Sequence, residues 1–133
     1  MNYLFDTSAI VIHALRLRGA ERVQSLMEQA DTGLLASSLT LFELAGILKR
    51  HGLKAIIRDY WQIYTSGLDV ISVDTSLAEA AWVLREETGT RIPIADAIIA
   101  ATAQSLDAIL VHRDQHLASI PESLLPQFRL PTE

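Results

Sequence analysis

The amino-acid sequence predicts an α/β domain: a three-layer α/β/α arrangement around a central, mainly parallel sheet. Three observations carry that expectation. Short apolar runs of strand length recur at residues 3–5, 34–36, 68–73 and 108–111, and longer segments of helical periodicity separate them. Strands alternating with helices imply parallel strands joined by crossover helices, with both sheet faces covered. The chain has 133 residues, 50% of them hydrophobic, enough to bury a sizeable core, and no internal repeat or low-complexity tract divides it. Residues 1–133 are therefore expected to form a single domain.

Composition narrows the chemistry. No cysteine is present, which excludes disulfides and thiolate ligands, so any metal must be held by oxygen or imidazole. Met1 runs straight into the first strand without a basic leader, and no apolar stretch approaches a membrane span. A soluble, cytoplasmic protein with no membrane partner is expected. The net charge of −5, from 11 Lys and Arg against 16 Asp and Glu, argues against a broad basic face for nucleic acid. If four of the acids bind metal, the remaining charges nearly balance and the ions invert the local field. Nucleic acid then stays open as a substrate held through metal.

The first run, Tyr3-Leu4-Phe5, stops at Asp6, and Thr7, Ser8 and an apolar segment follow. A buried strand thus hands over to a helix with a carboxylate at the junction, where ligands of open α/β sheets bind. The plainer use of Asp6 is to N-cap that helix. Helices are expected over residues 8–17 and 20–30, the second with Val23, Leu26, Met27 and Ala30 as its buried stripe. Asp31-Thr32-Gly33 punctuates, residues 34–36 read as a strand, and Ser37-Ser38 caps a helix over 39–51. Within it Glu43 has Leu39, Thr40, Gly46 and Ile47 as helical neighbours, so no cation lies within local reach. Such a Glu is exposed, paired through the fold, or bound to a metal.

Lys49-Arg50-His51 suits the negative end of that helix dipole. A further helix runs from Leu53 to about Ser66, and Tyr60, Trp61 and Tyr64 on its adjacent turns read as core or subunit interface. Residues 68–73 form the third strand, and Asp74 caps a helix over 75–87 that Gly89 ends. Pro93 starts a helix whose segment 97–103 is apolar nearly all round. Asp96 lies in its first turn, either as a charge favoured by the helix dipole or as a ligand. The strand 108–111 is followed by His112-Arg113-Asp114, which repeats the strand-then-acid arrangement of Asp6. Asp114 also suits the cap of a short helix through Ala118, and a last short strand is expected near Phe128 and Leu130.

At a switch point of the sheet, the ends of nonadjacent strands lie side by side, which would join Asp6 to Asp114. Glu43 and Asp96, in early turns of helices packed on that edge, would point into the same crevice. Clustered carboxylates raise one another's pKa and call for a cation. All-oxygen ligands suit Mg²⁺ or Mn²⁺, the ions of two-metal phosphodiester chemistry.

Taken together, Phe5-Asp6-Thr7-Ser8-Ala9, Leu41-Phe42-Glu43-Leu44, the run from Ile92 through Asp96 to Ala103, and Leu110-Val111-His112-Arg113-Asp114 closely resemble the PIN-domain family, most of all its small VapC-type toxins. The likeness spans Tyr3 to Leu117. It implies a PIN-like fold and a Mg²⁺- or Mn²⁺-dependent endoribonuclease of a toxin–antitoxin pair, expected to be a homodimer. A cognate antitoxin would cover its active site, and DNA would be met only through that antitoxin. By position, Asp6, Glu43, Asp96 and Asp114 would be the catalytic and metal-binding quartet, with Ser8 a supporting hydroxyl near Asp6. The family often carries Thr or Ser two residues before the fourth acid. Here His112 stands there, and it reads as a surface histidine at a solvated strand end, with replacement of that hydroxyl or a phosphate contact as the other use. Arg113 is a further candidate substrate contact.

The expected products are a 5′-phosphate and a 3′-hydroxyl, because no paired imidazoles or lysine suited to 2′-hydroxyl chemistry are recognisable. A different class of function is a non-catalytic interaction or regulatory module whose acids hold a structural cation. Haloacid-dehalogenase-type phosphatases would need an Asp where Ser8 stands, and a receiver domain would need a late Lys that cannot be placed.

Overall fold

Tyr3, Leu4 and Phe5 are all buried, as a strand inside a parallel sheet must be when helices cover both of its faces. The computed structural model describes residues 1–132. In chain order they form β1 (Asn2–Phe5), α1 (Thr7–Ala14), α2 (Ala20–Met27), β2 (Gly33–Ser37), α3 (Leu39–Arg50) and a 3-10 turn (Lys54–Ile56). Then follow α4 (Ile57–Gly67), β3 (Asp69–Ile71), α5 (Thr75–Thr88), α6 (Ile94–Ser105), β4 (Ala108–His112), α7 (Gln115–Ala118) and β5 (Gln127–Arg129). The five strands make one sheet in the order β3-β2-β1-β4-β5, and every pairing is parallel.

Side chains of a strand alternate between faces, and the two apolar clusters follow that alternation. Tyr3, Phe5, Ala36 and Val111 turn to one side, where Ile10, Ile12, Val23, Leu44, Leu48 and Tyr64 of α1–α4 cover them. Leu4, Leu35 and Leu110 turn to the other, against Leu84, Ile99 and Leu117 of α5–α7. Each full burial of a Leu or Phe contributes about 1.5–3 kcal/mol. The two clusters therefore hold the sheet from both sides, which is the α/β/α layering predicted.

The order also places the site. The chain proceeds from β1 outward through β2 and β3, then returns to lay β4 on the other flank of β1. The switch point thus falls between β1 and β4, with Phe5 opposite Val111 and the Asp6 amide donating to the Val111 carbonyl at 3.0 Å.

Several element ends differ from the sequence expectation, each for a local reason. The first helix stops at Ala14, because Arg16 turns left-handed (φ 54°) and the Leu17 amide closes back on the Ile12 carbonyl at 2.9 Å. The second stops at Met27, short of Asp31, which is also left-handed (φ 60°). The segment from Leu53 opens as a 3-10 turn before α4, and the third strand keeps only residues 69–71 in the ladder. Asp74 caps α5 through the Leu77 amide, and Gly89 ends it at φ 77°. No helix among the described residues is long and apolar enough to cross a membrane.

Candidate functional site

Asp6 and Asp114 both serve as caps, and both stand at the crevice. Asp6 is 3% exposed, and its Oδ2 accepts from the Ser8 amide at 3.0 Å and the Ser8 hydroxyl at 2.6 Å. Asp114 Oδ1 accepts from the His116 and Leu117 amides at 2.7 and 3.1 Å. In each carboxylate the other oxygen accepts no hydrogen bond among the described residues, so capping leaves one oxygen for a ligand.

The Ser8 hydroxyl ties the two turns together. It donates to Asp6 and accepts from the Arg113 amide at 2.9 Å, so the turn after β1 is bonded to the turn after β4. Arg113 thereby contributes its backbone, and its half-buried guanidinium keeps Nη1 buried with no hydrogen-bond partner among the described residues.

Glu43, in the second turn of α3, receives the Thr7 hydroxyl on Oε1 at 2.6 Å. Asp96, in the first turn of α6, has a side chain 14% exposed and faces the His116 ring, Nδ1 to Oδ2 3.7 Å. None of the four acids pairs with Lys or Arg among the described residues.

Two of the four carboxylates are raised, with the charges of the others among the causes. Burial pushes Asp6 up to about 6, the Ser8 bonds opposing it and the charges of Asp114 and Glu43 adding to it. Burial likewise pushes Asp96 up to about 7, with Asp114, Asp6 and Glu43 raising it further and His116 lowering it. Like charges held together at low dielectric are costly until a cation joins them. Oxygen donors free of Lys and Arg, with Asp96, Asp114 and His116 offering atoms within 4.8 Å of one another, fit a divalent ion.

His112 corrects the sequence reading. It is 1% exposed, not a surface residue, because β5 pairs alongside β4 and Gln127 of β5 bonds its ring. Its Nδ1 accepts from the Asp114 amide at 3.1 Å, so Nε2 carries the proton and donates to Gln127 Oε1 at 2.8 Å. Burial holds its pKa below the usual imidazole value. His112 therefore supports the backbone of Asp114 as a neutral ring.

Two residues at the site escaped the sequence reading. Thr7 is buried directly after Asp6, and a hydroxyl inside an otherwise apolar helix start was the available signal. His116, half exposed, sits two residues beyond Asp114, and nothing short of the turn geometry distinguishes it from a surface histidine.

A family model described as PIN domain matches residues 3–123. No curated protein matches the sequence. Among solved structures, VapBC2 from Rickettsia felis, bound to a fragment of its promoter DNA, is 22% identical with a TM-score of 0.78, covering 98% of this chain and 100% of that one. A toxin–antitoxin complex from Klebsiella pneumoniae is 27% identical with a TM-score of 0.64, covering 90% and 92%. Mycobacterium tuberculosis VapC20, a toxin that cleaves the sarcin–ricin loop, is 20% identical with a TM-score of 0.70, covering 88% and 93%.

Proposed function

The chain belongs to the PIN domain family, and from that premise we propose that it is the endoribonuclease toxin of a toxin–antitoxin pair. What supports the reading is that Asp6 and Asp114 follow the strands flanking the β1/β4 switch point, that Asp114, Asp6 and Glu43 all act on Asp96, and that none of the four pairs with Lys or Arg among the described residues. These four would hold Mg²⁺ or Mn²⁺. A divalent ion bound there supplies charge that acidifies water and stabilises the departing oxygen of a phosphodiester.

The chain's own residues prepare that chemistry. Ser8 and Thr7 fix one oxygen each of Asp6 and Glu43, and the other oxygens accept no hydrogen bond among the described residues. Asp6 and Asp96 hold their protons more tightly than ordinary carboxyls and release them when a cation makes the charged forms favourable. His112 holds the Asp114 amide, and so the turn that carries the fourth acid. The substrate is RNA, and the products carry a 5′-phosphate and a 3′-hydroxyl.

A cognate antitoxin is the expected protein partner, in keeping with the toxin–antitoxin assemblies among the structural neighbours. Promoter DNA would be reached through it. Leu44, Leu48 and Tyr64 of α3 and α4 are core, whereas Phe42 and Ile63 on the same helices are 84% and 60% exposed and offer apolar surface for the antitoxin or for a second copy in a homodimer.

The test is cleavage of a structured RNA pool by antitoxin-free protein, with Mg²⁺, Mn²⁺ or chelator, beside Asp96→Asn. Metal-dependent cutting that the substitution abolishes, with 5′-phosphate ends, is expected. A 2′,3′-cyclic phosphate would overturn the mechanism. RNA bound equally by both proteins and cut by neither would favour the non-catalytic module with a structural cation.

A further inference from the structure

His116 stands with its Nδ1 3.6 Å from Asp114 Oδ1 and 3.7 Å from Asp96 Oδ2. Both separations exceed hydrogen-bond length. Asp96, Asp114 and His116 can nonetheless each offer one donor atom, all within 4.8 Å of one another, and Asp114 has its Oδ2 outside the cap for that purpose. The placement is built by the backbone. Asp114 Oδ1 accepts the His116 amide at 2.7 Å, so the cap that starts α7 also sets the imidazole beside Asp114 and across from α6. The ring is 51% exposed, which leaves it open to an incoming ion.

We propose that His116 is a metal ligand, completing with Asp96 and Asp114 a mixed nitrogen and oxygen site that prefers Mn²⁺ over Mg²⁺. Mg²⁺ takes oxygen and keeps its waters, whereas Mn²⁺, which also takes carboxylates, belongs to the first-row series and tolerates a nitrogen ligand better. An all-carboxylate site has no such bias. His116 thus sets which divalent ion the quartet accepts, an inference that rests on the metal-dependent reading above.

Binding of Mn²⁺ and of Mg²⁺ to the metal-free full chain, by calorimetry, separates the possibilities, together with the nitrogen hyperfine coupling of bound Mn²⁺ by pulsed electron paramagnetic resonance. The proteins are wild type, His116→Ala, His116→Gln and Asp96→Asn. His116 is exposed, so both of its variants should fold, which circular dichroism checks. Losing an outer-shell partner of a metal ligand costs about 10- to 100-fold in affinity, and a ligand should cost no less. The expected result is an imidazole coupling in wild type that both His116 variants lose, with Mn²⁺ affinity down at least about tenfold and Mg²⁺ affinity nearly unchanged. Wild-type Mn²⁺ without nitrogen coupling, or coupling that persists in His116→Ala, would overturn the assignment while Asp96-dependent binding kept the quartet intact. No binding of either ion to wild type would overturn both.

Discussion

Thr7 Oγ1 and Glu43 Oε1 lie 2.6 Å apart, and Thr40 Oγ1 lies 3.1 Å from the same Thr7 oxygen. Thr7 has one hydroxyl proton, and the carboxylate is the stronger acceptor. Thr7 therefore donates to Glu43, and the buried Thr40 oxygen is the second, longer acceptor near the same hydroxyl. The Thr7 hydroxyl, in the turn after β1, thus orients the second acid from across the crevice. Thr7→Val keeps the shape but removes the donor that faces Glu43 and Thr40, at a cost of about 1–3 kcal/mol. RNA cleavage should fall about tenfold through kcat, and Thr7→Ser should restore most of it. Equal rates for Thr7→Val and wild type would show that Glu43 needs no such support.

Asp96→Asn should move stability and activity in opposite directions. Burial, and then the other three acids, push Asp96 up to about 7, so its ionised form weakens the metal-free fold at neutral pH. Each pKa unit corresponds to about 1.4 kcal/mol, and the rise predicts about 2–4 kcal/mol of added stability in the variant at pH 8 without metal. On the proposed role of Asp96 as a ligand, cleavage should drop at least about a hundredfold, since even an outer-shell partner is worth about 10- to 100-fold. Chemical denaturation alongside the RNA assay checks both, and a variant less stable than wild type would contradict the electrostatic argument.

The same shifts set a pH dependence whose sign is definite. Asp6 and Asp96 have folded values of about 6 and 7 against an ordinary 3.8, so the folded state binds more protons than the unfolded one between those limits. Stability of the metal-free protein is therefore lost as pH rises from 4 through 7. His112 acts oppositely, since its lowered pKa costs stability as pH falls below its ordinary 6.5. Comparing wild type with Asp96→Asn cancels the His112 contribution. The gap in denaturation midpoint should widen from pH 4 to pH 7.5 and close on adding Mn²⁺. A gap independent of pH would mean that Asp96 titrates normally.

Much of this arrangement is readable from residue order, because it rests on periodicity and on where acids interrupt it. Leu4 facing one layer while Tyr3 and Phe5 face the other is the two-sided burial that a continuous apolar run predicts. Asp6 and Asp114 meet because both follow strands flanking the switch point. What stayed hidden depends on contacts between distant segments or on backbone that carries no residue signal. Arg16 and Asp31 adopt left-handed turns usually left to glycine or asparagine, so both helices read too long. The burial of His112 depends on Gln127, fifteen positions on in a three-residue strand that periodicity alone barely marks. His116 takes its meaning from a carboxylate twenty residues earlier on another helix.

Ser8 offers the most discriminating substitution, because its hydroxyl acts on Asp6 and on Arg113 at once. Ser8→Ala removes a 2.6 Å bond to the ionised carboxylate, one of the influences that holds the Asp6 pKa down against burial. Asp6 should then keep its proton to higher pH. Binding of a divalent cation at pH 7 competes with that proton, so apparent affinity should fall about tenfold for each unit of further rise. At pH 8.5 Asp6 is ionised in both proteins, and the affinity should largely return. The loss of the Arg113 amide's acceptor destabilises the turn by about 1 kcal/mol but does not depend on pH. The two effects of one hydroxyl therefore separate in a single series of calorimetric titrations from pH 6.5 to 8.5. A deficit that shrinks as pH rises identifies tuning of Asp6, whereas a constant deficit would assign Ser8 only to bracing the two turns.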